Sequence, residues 1–216
     1  MGFLESAVVI YLRKLYYVNG FAFPLAPMDA DIVVVEFWRE AATIIMLAAV
    51  GVLAGRNKAE RFAWFLFSFA VWDIFYYVFL YIFLGWPQSL MTWDILFLIP
   101  VPWVGPVITP VIIALTMILF AMSVVTYSER GQNVGLKRVE QLLLLSGSLV
   151  AIVSFTRDYM RQNWGAIYSS FTAHNAKVTD FLGYVPAHFD WGIFIVGELL
   201  LLVAWWQYMR RMRLVS

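Results

Sequence analysis

The stretch FAWFLFSFAVWDIFYYVFLYIFL, residues 62–84, contains a single charged residue, Asp73. An α-helix rises about 1.5 Å per residue, so roughly 20 apolar residues are enough to cross the hydrocarbon layer of a bilayer. Apolar and aromatic side chains occur all around this helix, which is typical of a segment surrounded by lipid. The stretch therefore predicts a membrane-spanning helix.

The composition of the whole chain agrees with this prediction. Of the 216 residues, 62% are hydrophobic and 13% are charged, whereas a soluble domain is roughly half apolar and a quarter charged. We expect an all-α, polytopic helix bundle that forms a single transmembrane domain over residues 1–216. Its five spans are predicted at about 31–54, 61–84, 110–127, 139–156 and 190–208.

Two further segments are apolar but are not predicted to be regular membrane spans. Residues 3–18 surround Arg13 and Lys14 with apolar side chains, which favours an interfacial amphipathic helix lying on the membrane, with a sixth span as the alternative. Prolines interrupt residues 93–109, and a proline removes a backbone donor and clashes with the preceding helical turn. We expect a short helix over 93–99 and then a bent, re-entrant or interfacial segment. A loop is expected over 157–189.

Lysine and arginine predict the orientation. Nine of them fall on one side of a five-span bundle, whereas the cations of the other side are spread over longer segments. The nine are Arg56, Lys58, Arg61, Arg130, Lys137, Arg138, Arg210, Arg211 and Arg213. Because short cytoplasmic loops are rich in these residues, we expect a multi-pass protein of a bacterial inner (plasma) membrane, with the N-terminus outside and the C-terminus cytoplasmic.

Ionisable residues inside the predicted spans are the main functional signal, because each costs roughly 2.5–3.5 kcal/mol at the centre of a helix in lipid. They are Glu36, Arg39, Glu40, Asp73 and Glu198. Helical rise places the last three at about the same depth, roughly 12 Å below the outer surface, and Asp94 would cover them from the outside. We therefore predict an outward-opening acidic pocket between the first, second and fifth spans.

Two interpretations of this cluster stay open. The carboxylates and Arg39 could form an ion-pair network that only fixes helix packing, or they could bind a cation, a proton or a small polar ligand. His188 and Asp190 are further candidates, as metal ligands beside the cluster. No spacing typical of a preformed zinc site is present.

Other functional classes are disfavoured or left open. The net charge is +1 and cysteine is absent, so neither a nucleic-acid-binding surface nor a thiolate metal site is expected. No cofactor motif is recognisable, and the cofactor stays unknown. Besides the lipid bilayer, the expected partners are other membrane subunits or further copies of the chain. Three hypotheses follow: a protein that binds or conducts a cation, a proton or a small polar ligand; a non-catalytic subunit or assembly factor of a membrane complex; and an intramembrane enzyme using carboxylates with or without a metal.

Overall fold

The structure, a computed structural model, describes residues 1–17, 20–99, 101–173 and 183–214. Within these ranges the chain forms six α-helices and one antiparallel β-hairpin. In chain order the elements are α1 (Gly2–Tyr16), α2 (Ala30–Ala54), α3 (Lys58–Leu84), β1 (Trp93–Phe97), β2 (Trp103–Pro106), α4 (Ile108–Glu129), α5 (Arg138–Ala173) and α6 (Trp191–Arg213).

Four helices of the described ranges are long and apolar enough to cross a membrane, which makes the chain an integral membrane helix bundle. They are α3, α4, α6 and the Arg138–Gly165 part of α5, and they coincide with the second to fifth predicted spans. The first predicted span also forms a helix, α2, of 25 residues. It carries three of the predicted site residues and is not one of these four.

The helices pack in a row in which each spanning helix contacts its neighbours. The order is α2, α3, α4, α6 and α5, with α1 lying against α3 and the hairpin lying on α4 and α5. The hairpin thus closes one end of the bundle, the hairpin end. The opposite end holds the carboxyl ends of α2, α4 and α6 and the arginines of the tail, and we call it the arginine end.

Two buried acids, Glu60 and Glu140, are paired with arginines at the arginine end. Glu60, at the start of α3, binds Arg56 and accepts a hydrogen bond from Ser128 at the end of α4. Glu140, at the start of α5, accepts a hydrogen bond of 2.8 Å from Arg211 of α6. These contacts join successive helices at one level, which is a sufficient structural role for both acids.

The predicted short helix over 93–99 is wrong, because this segment is strand β1. Trp93 pairs with Pro106, and Ile95 pairs with Val104, in an antiparallel register. Aromatic and β-branched residues favour strands, and pairing with β2 satisfies backbone groups that the prolines prevent from forming a helix. Pro100 lies outside the described residues.

The loop predicted over 157–189 is also different in the structure, because α5 continues without interruption to Ala173. The polar residues that end the apolar run do not end the helix. Asp158 accepts hydrogen bonds from the Tyr184 hydroxyl at 2.8 Å and from the Ala187 amide at 3.1 Å. A helix satisfies its own backbone in water as well as in lipid, so polarity marks the membrane boundary and not the helix end.

Close approach of α5 and α6 depends on glycine. A Cβ added at Gly197 would lie 2.8 Å from the Ala151 nitrogen and 3.1 Å from the Gly147 oxygen. Both atoms belong to the backbone of α5 and cannot move as a side-chain end could. The contact brings α6 into its place beside α4.

Replacing Gly197 with leucine is expected to lower the free energy of unfolding by about 1–3 kcal/mol, the usual cost of overpacking. The matched control is Gly192→Leu on the same helix, since a Cβ there meets no atom within 4 Å. Thermal unfolding of both variants in the same detergent measures the difference. Equal melting temperatures for the two variants would contradict the assigned contact.

Candidate functional site

A cavity of about 530 Å³ lies at the hairpin end. Its walls come from α1, the segment 21–29, α2, α3 and the hairpin, and they are mostly apolar. Small-molecule sites commonly have volumes of about 300–1,000 Å³ and apolar walls with a few polar groups. Two arginines, Arg13 and Arg39, line the cavity, together with the side chains of six acids: Glu5, Asp29, Glu36, Glu40, Asp73 and Asp94. We call it the acidic cavity.

Most of the sequence-predicted site residues meet in this cavity. Glu36, Arg39 and Glu40 reach it from α2, Asp73 reaches it from α3, and Asp94 reaches it from β1. The spacing of the three α2 residues places them on one helix face. A buried Gly51 lets α2 approach α3, since a Cβ there would lie 2.5 Å from the Arg61 oxygen.

Glu198 does not belong to the acidic cavity. It lies on α6 and accepts a hydrogen bond from Thr116 of α4, while its second oxygen, Oε2, is buried without a hydrogen-bond partner. The third wall, which the sequence assigned to the fifth span, comes from α1 instead.

Arg39 is the centre of an ion-pair triad. Its guanidinium pairs with Glu36 on its own helix and with Glu5 of α1, and Nε donates to Glu36 Oε2 at 2.8 Å. The side chains of both acids are 12% exposed and that of Arg39 is 20% exposed. Since two carboxylates share one guanidinium, the fully ionised triad carries one negative charge.

Glu40 fixes the hairpin to α2. Its carboxylate Oε2 accepts a hydrogen bond of 3.0 Å from the backbone amide of Leu98, just after β1, and the residue is 7% exposed. A buried carboxylate bound to a single amide still has acceptor capacity to spare.

Arg13 and Asp94 form a second pair, in which Nη2 lies 3.5 Å from Oδ1. The guanidinium also stacks on two aromatic rings, 3.7 Å from the centroid of Trp86 and 4.5 Å from that of Phe21. This arrangement shows that the site already surrounds one cation with aromatic faces and a carboxylate. Arg13 was not predicted from the sequence as a site residue.

Asp94 is 2% exposed, and its oxygen Oδ2 accepts no hydrogen bond of normal geometry. Burial raises the pKa of Asp94 to about 6, against the opposing effects of Arg13, the Ile95 amide and the nearby hydroxyls of Tyr77 and Tyr76. The charge of Asp94 is therefore sensitive to pH in the physiological range.

Asp73 faces the acidic cavity and has no partner within the described ranges. No residue in the described part of the chain donates a hydrogen bond to it or forms an ion pair with it, and the nearby charged group that acts on it is Asp94. The preceding residue, Trp72, also lines the cavity, and its indole nitrogen is buried without an acceptor among the described residues. Unpaired polar groups at this depth are costly unless something else binds them.

The predicted metal ligands are near each other but lack a third. His188 Nε2 lies 3.8 Å from Asp190 Oδ1, while Asp190 Oδ2 pairs with Arg157 at 2.9 Å. No group of three or more potential metal ligands occurs among residues 1–17, 20–99, 101–173 and 183–214. Neither residue lines the acidic cavity, so the metal prediction gains no support from the geometry.

Comparison with known proteins gives no independent assignment. No protein-family model, curated protein or solved structure matches the chain.

Proposed function

We propose that this protein is a five-span membrane protein that binds a small organic cation in the acidic cavity. The observation that carries the proposal is the Asp73 carboxylate, which faces a cavity of about 530 Å³ and has no partner among the residues that the structure describes. The nearby Oδ2 of Asp94 is also unpaired. A bound cation would balance the charge that the protein leaves uncompensated.

Charge favours a cation over an anion or a neutral ligand. Six carboxylates and two guanidiniums line the cavity, and both guanidiniums already pair with carboxylates. An anion would require a guanidinium that is not already paired with a carboxylate, and neither Arg13 nor Arg39 provides one.

Size and aromatic lining favour an organic cation over a bare ion. A cavity of this volume is far larger than one ion, and aromatic rings of Tyr17, Phe37, Trp72, Tyr76 and Tyr77 line it. The faces of such rings attract ammonium groups. The stacking of Arg13 on Trp86 is an internal example of the same recognition.

The membrane topology belongs to the same proposal. At about 1.5 Å per residue the 25 residues of α2 reach about 37 Å, so α2 is the first of five spans. The arginine end faces the cytoplasm of a bacterial inner membrane, and the cavity then opens in the outer half of the bilayer. Its lining extends no deeper than Glu40 and Trp72, which supports binding without a continuous conduction path.

Asp73→Asn is expected to weaken binding of tetramethylammonium to the protein in nanodiscs by about thirtyfold or more, because it removes the unpaired charge that faces the ligand. The matched control is Asp31→Asn, an exposed acid at the start of α2 outside the cavity. Isothermal titration calorimetry measures both affinities. Absent binding to the wild type, or equal loss in the two variants, would refute the proposed function.

A further inference from the structure

The acidic cavity is separated from the surroundings on one side by only a thin contact between α1 and α2. Both helices pack on α3, and no extensive packing joins them to each other in the described ranges. Two side-chain contacts bridge them. Glu5 pairs with Arg39, and the Tyr16 hydroxyl donates to Asp29, just before α2, at 3.2 Å. A gap therefore separates α1 from α2, and these two polar contacts bridge it.

This gap lies beside the apolar part of the bundle. At the amino end of α1, a Cβ added at Gly2 would lie 2.9 Å from the Phe75 Cβ. Phe75 is nine residues before the end of α3, which corresponds to about 14 Å along the helix. Glu5 and Arg39 therefore meet at a depth where lipid chains surround the bundle.

Apolar side chains cover the outer surfaces of both helices: Leu4, Tyr11 and Leu15 of α1 and Val34, Val35 and Trp38 of α2 are exposed. On the cavity side, Val9 and Leu12 of α1 and Val33 and Phe37 of α2 line the acidic cavity. Phe37 is also 41% exposed, so an apolar side chain of α2 reaches both the surface of the bundle and the cavity that contains Asp73 and Asp94.

We propose, building on the proposed function, that the ligand is an amphiphilic cation, a long-chain amine or an amine-headed lipid, that reaches the cavity from the bilayer between α1 and α2. Its ammonium group lies against Asp73 and its chain lies between Val9, Leu12, Val33 and Phe37. Glu5 and Arg39 separate to admit it and pair again behind its head group. No covalent step is involved.

The absence of cysteine allows a direct test. The double variant Glu5→Cys/Arg39→Cys is bridged with a short bis-maleimide, in nanodiscs, and the binding rate of dodecyltrimethylammonium is measured before and after bridging. We expect bridging to slow this rate about tenfold or more, because the helices can no longer separate. The same double variant treated with a monofunctional maleimide is the control.

Tetramethylammonium separates the two proposals. Its equilibrium affinity reports on the Asp73 site alone and should change less than about twofold on bridging. Intact binding of tetramethylammonium together with an unchanged rate for the dodecyl compound would overturn access between the helices and leave the proposed function standing. Absent binding of tetramethylammonium to the wild type would instead overturn the proposed function.

A second variant keeps the test informative if the double cysteine variant fails to fold. Val9→Trp leaves both ion pairs in place and narrows the lining on α1. The affinity for dodecyltrimethylammonium should fall about tenfold relative to that for tetramethylammonium, because only the former needs room for a chain. An equal effect on both ligands would contradict a chain site between α1 and α2.

Discussion

Replacing Arg39 with leucine is expected to lower the free energy of unfolding by about 3–5 kcal/mol, because Glu5 and Glu36 then lose their shared cation in a buried site. The side chains of both acids are 12% exposed, so water compensates little of the loss. Equilibrium unfolding with denaturant in a fixed detergent measures the change. The effect should far exceed that of removing an exposed pair.

Two matched variants test the physical reason. Arg157→Leu breaks the pair with Asp190, in which Arg157 is 47% exposed, and it should cost at most about 1 kcal/mol. The triple variant Glu5→Gln/Glu36→Gln/Arg39→Leu removes the two carboxylate charges that Arg39→Leu leaves unpaired. It should regain most of the lost stability. If the triple variant is no more stable than Arg39→Leu, unpaired charge is not the cause of the loss.

Hydropathy was sufficient to predict α3, α4 and α6, because a membrane-spanning helix needs about 20 mostly apolar residues. Helix α2 was predicted as well, although it is not one of the four helices of the described ranges that are long and apolar enough to cross a membrane. Hydropathy did not predict the end of α5, because the polar residues after Thr156 find partners outside the apolar region. Asp158, for example, binds the Tyr184 hydroxyl. Hairpin formation over 93–106 was missed because strand pairing depends on a partner segment, whereas the prolines report only where a helix cannot form.

The candidate site was predicted in part, for a geometric reason. Helical rise gives the depth of a side chain but not its direction around the bundle, so Glu40, Asp73 and Glu198 were expected to meet. In the row of helices, α3 and α4 separate α2 from α6, and Glu198 binds Thr116 instead. Depth alone therefore predicts a layer of the membrane and not a pocket.

Glu5 and Arg13 were missed for a different reason. Two cations within α1 favoured a helix at the membrane surface, yet Arg13 is buried against Asp94, Trp86 and Phe21. Asp94 and Trp86 lie more than seventy residues away from Arg13 in the sequence, and no local pattern reports them. The useful signal was the imbalance of charge: Asp94 and Asp73 lacked a cation within the spans, and α1 supplied one.

Asp94 should make the stability of the protein depend on pH. Its pKa is raised to about 6 in the folded protein by burial, compared with about 3.9 for an unfolded aspartate. The folded state therefore binds the proton more tightly, so the stabilising effect of protonation is complete below about pH 4 and is lost as the pH rises through about 6. Relative to Asp94→Asn, the wild type should lose about 3 kcal/mol between these limits.

The position of this transition tests the role of Arg13. Arg13 of α1 opposes the effect of burial most strongly, while Tyr76, Tyr77 and Asp73 of α3 also face Asp94. The pH dependence due to Asp94 is the difference in stability between a protein that retains Asp94 and the matching Asp94→Asn variant. Arg13→Leu should move the midpoint of this difference above pH 6, because the Asp94 carboxylate loses its cation. Melting temperatures recorded from pH 4 to pH 8 for the four combinations of the two substitutions measure this midpoint. A midpoint that stays at pH 6 or falls after Arg13→Leu would mean that the guanidinium of Arg13 does not stabilise the Asp94 carboxylate.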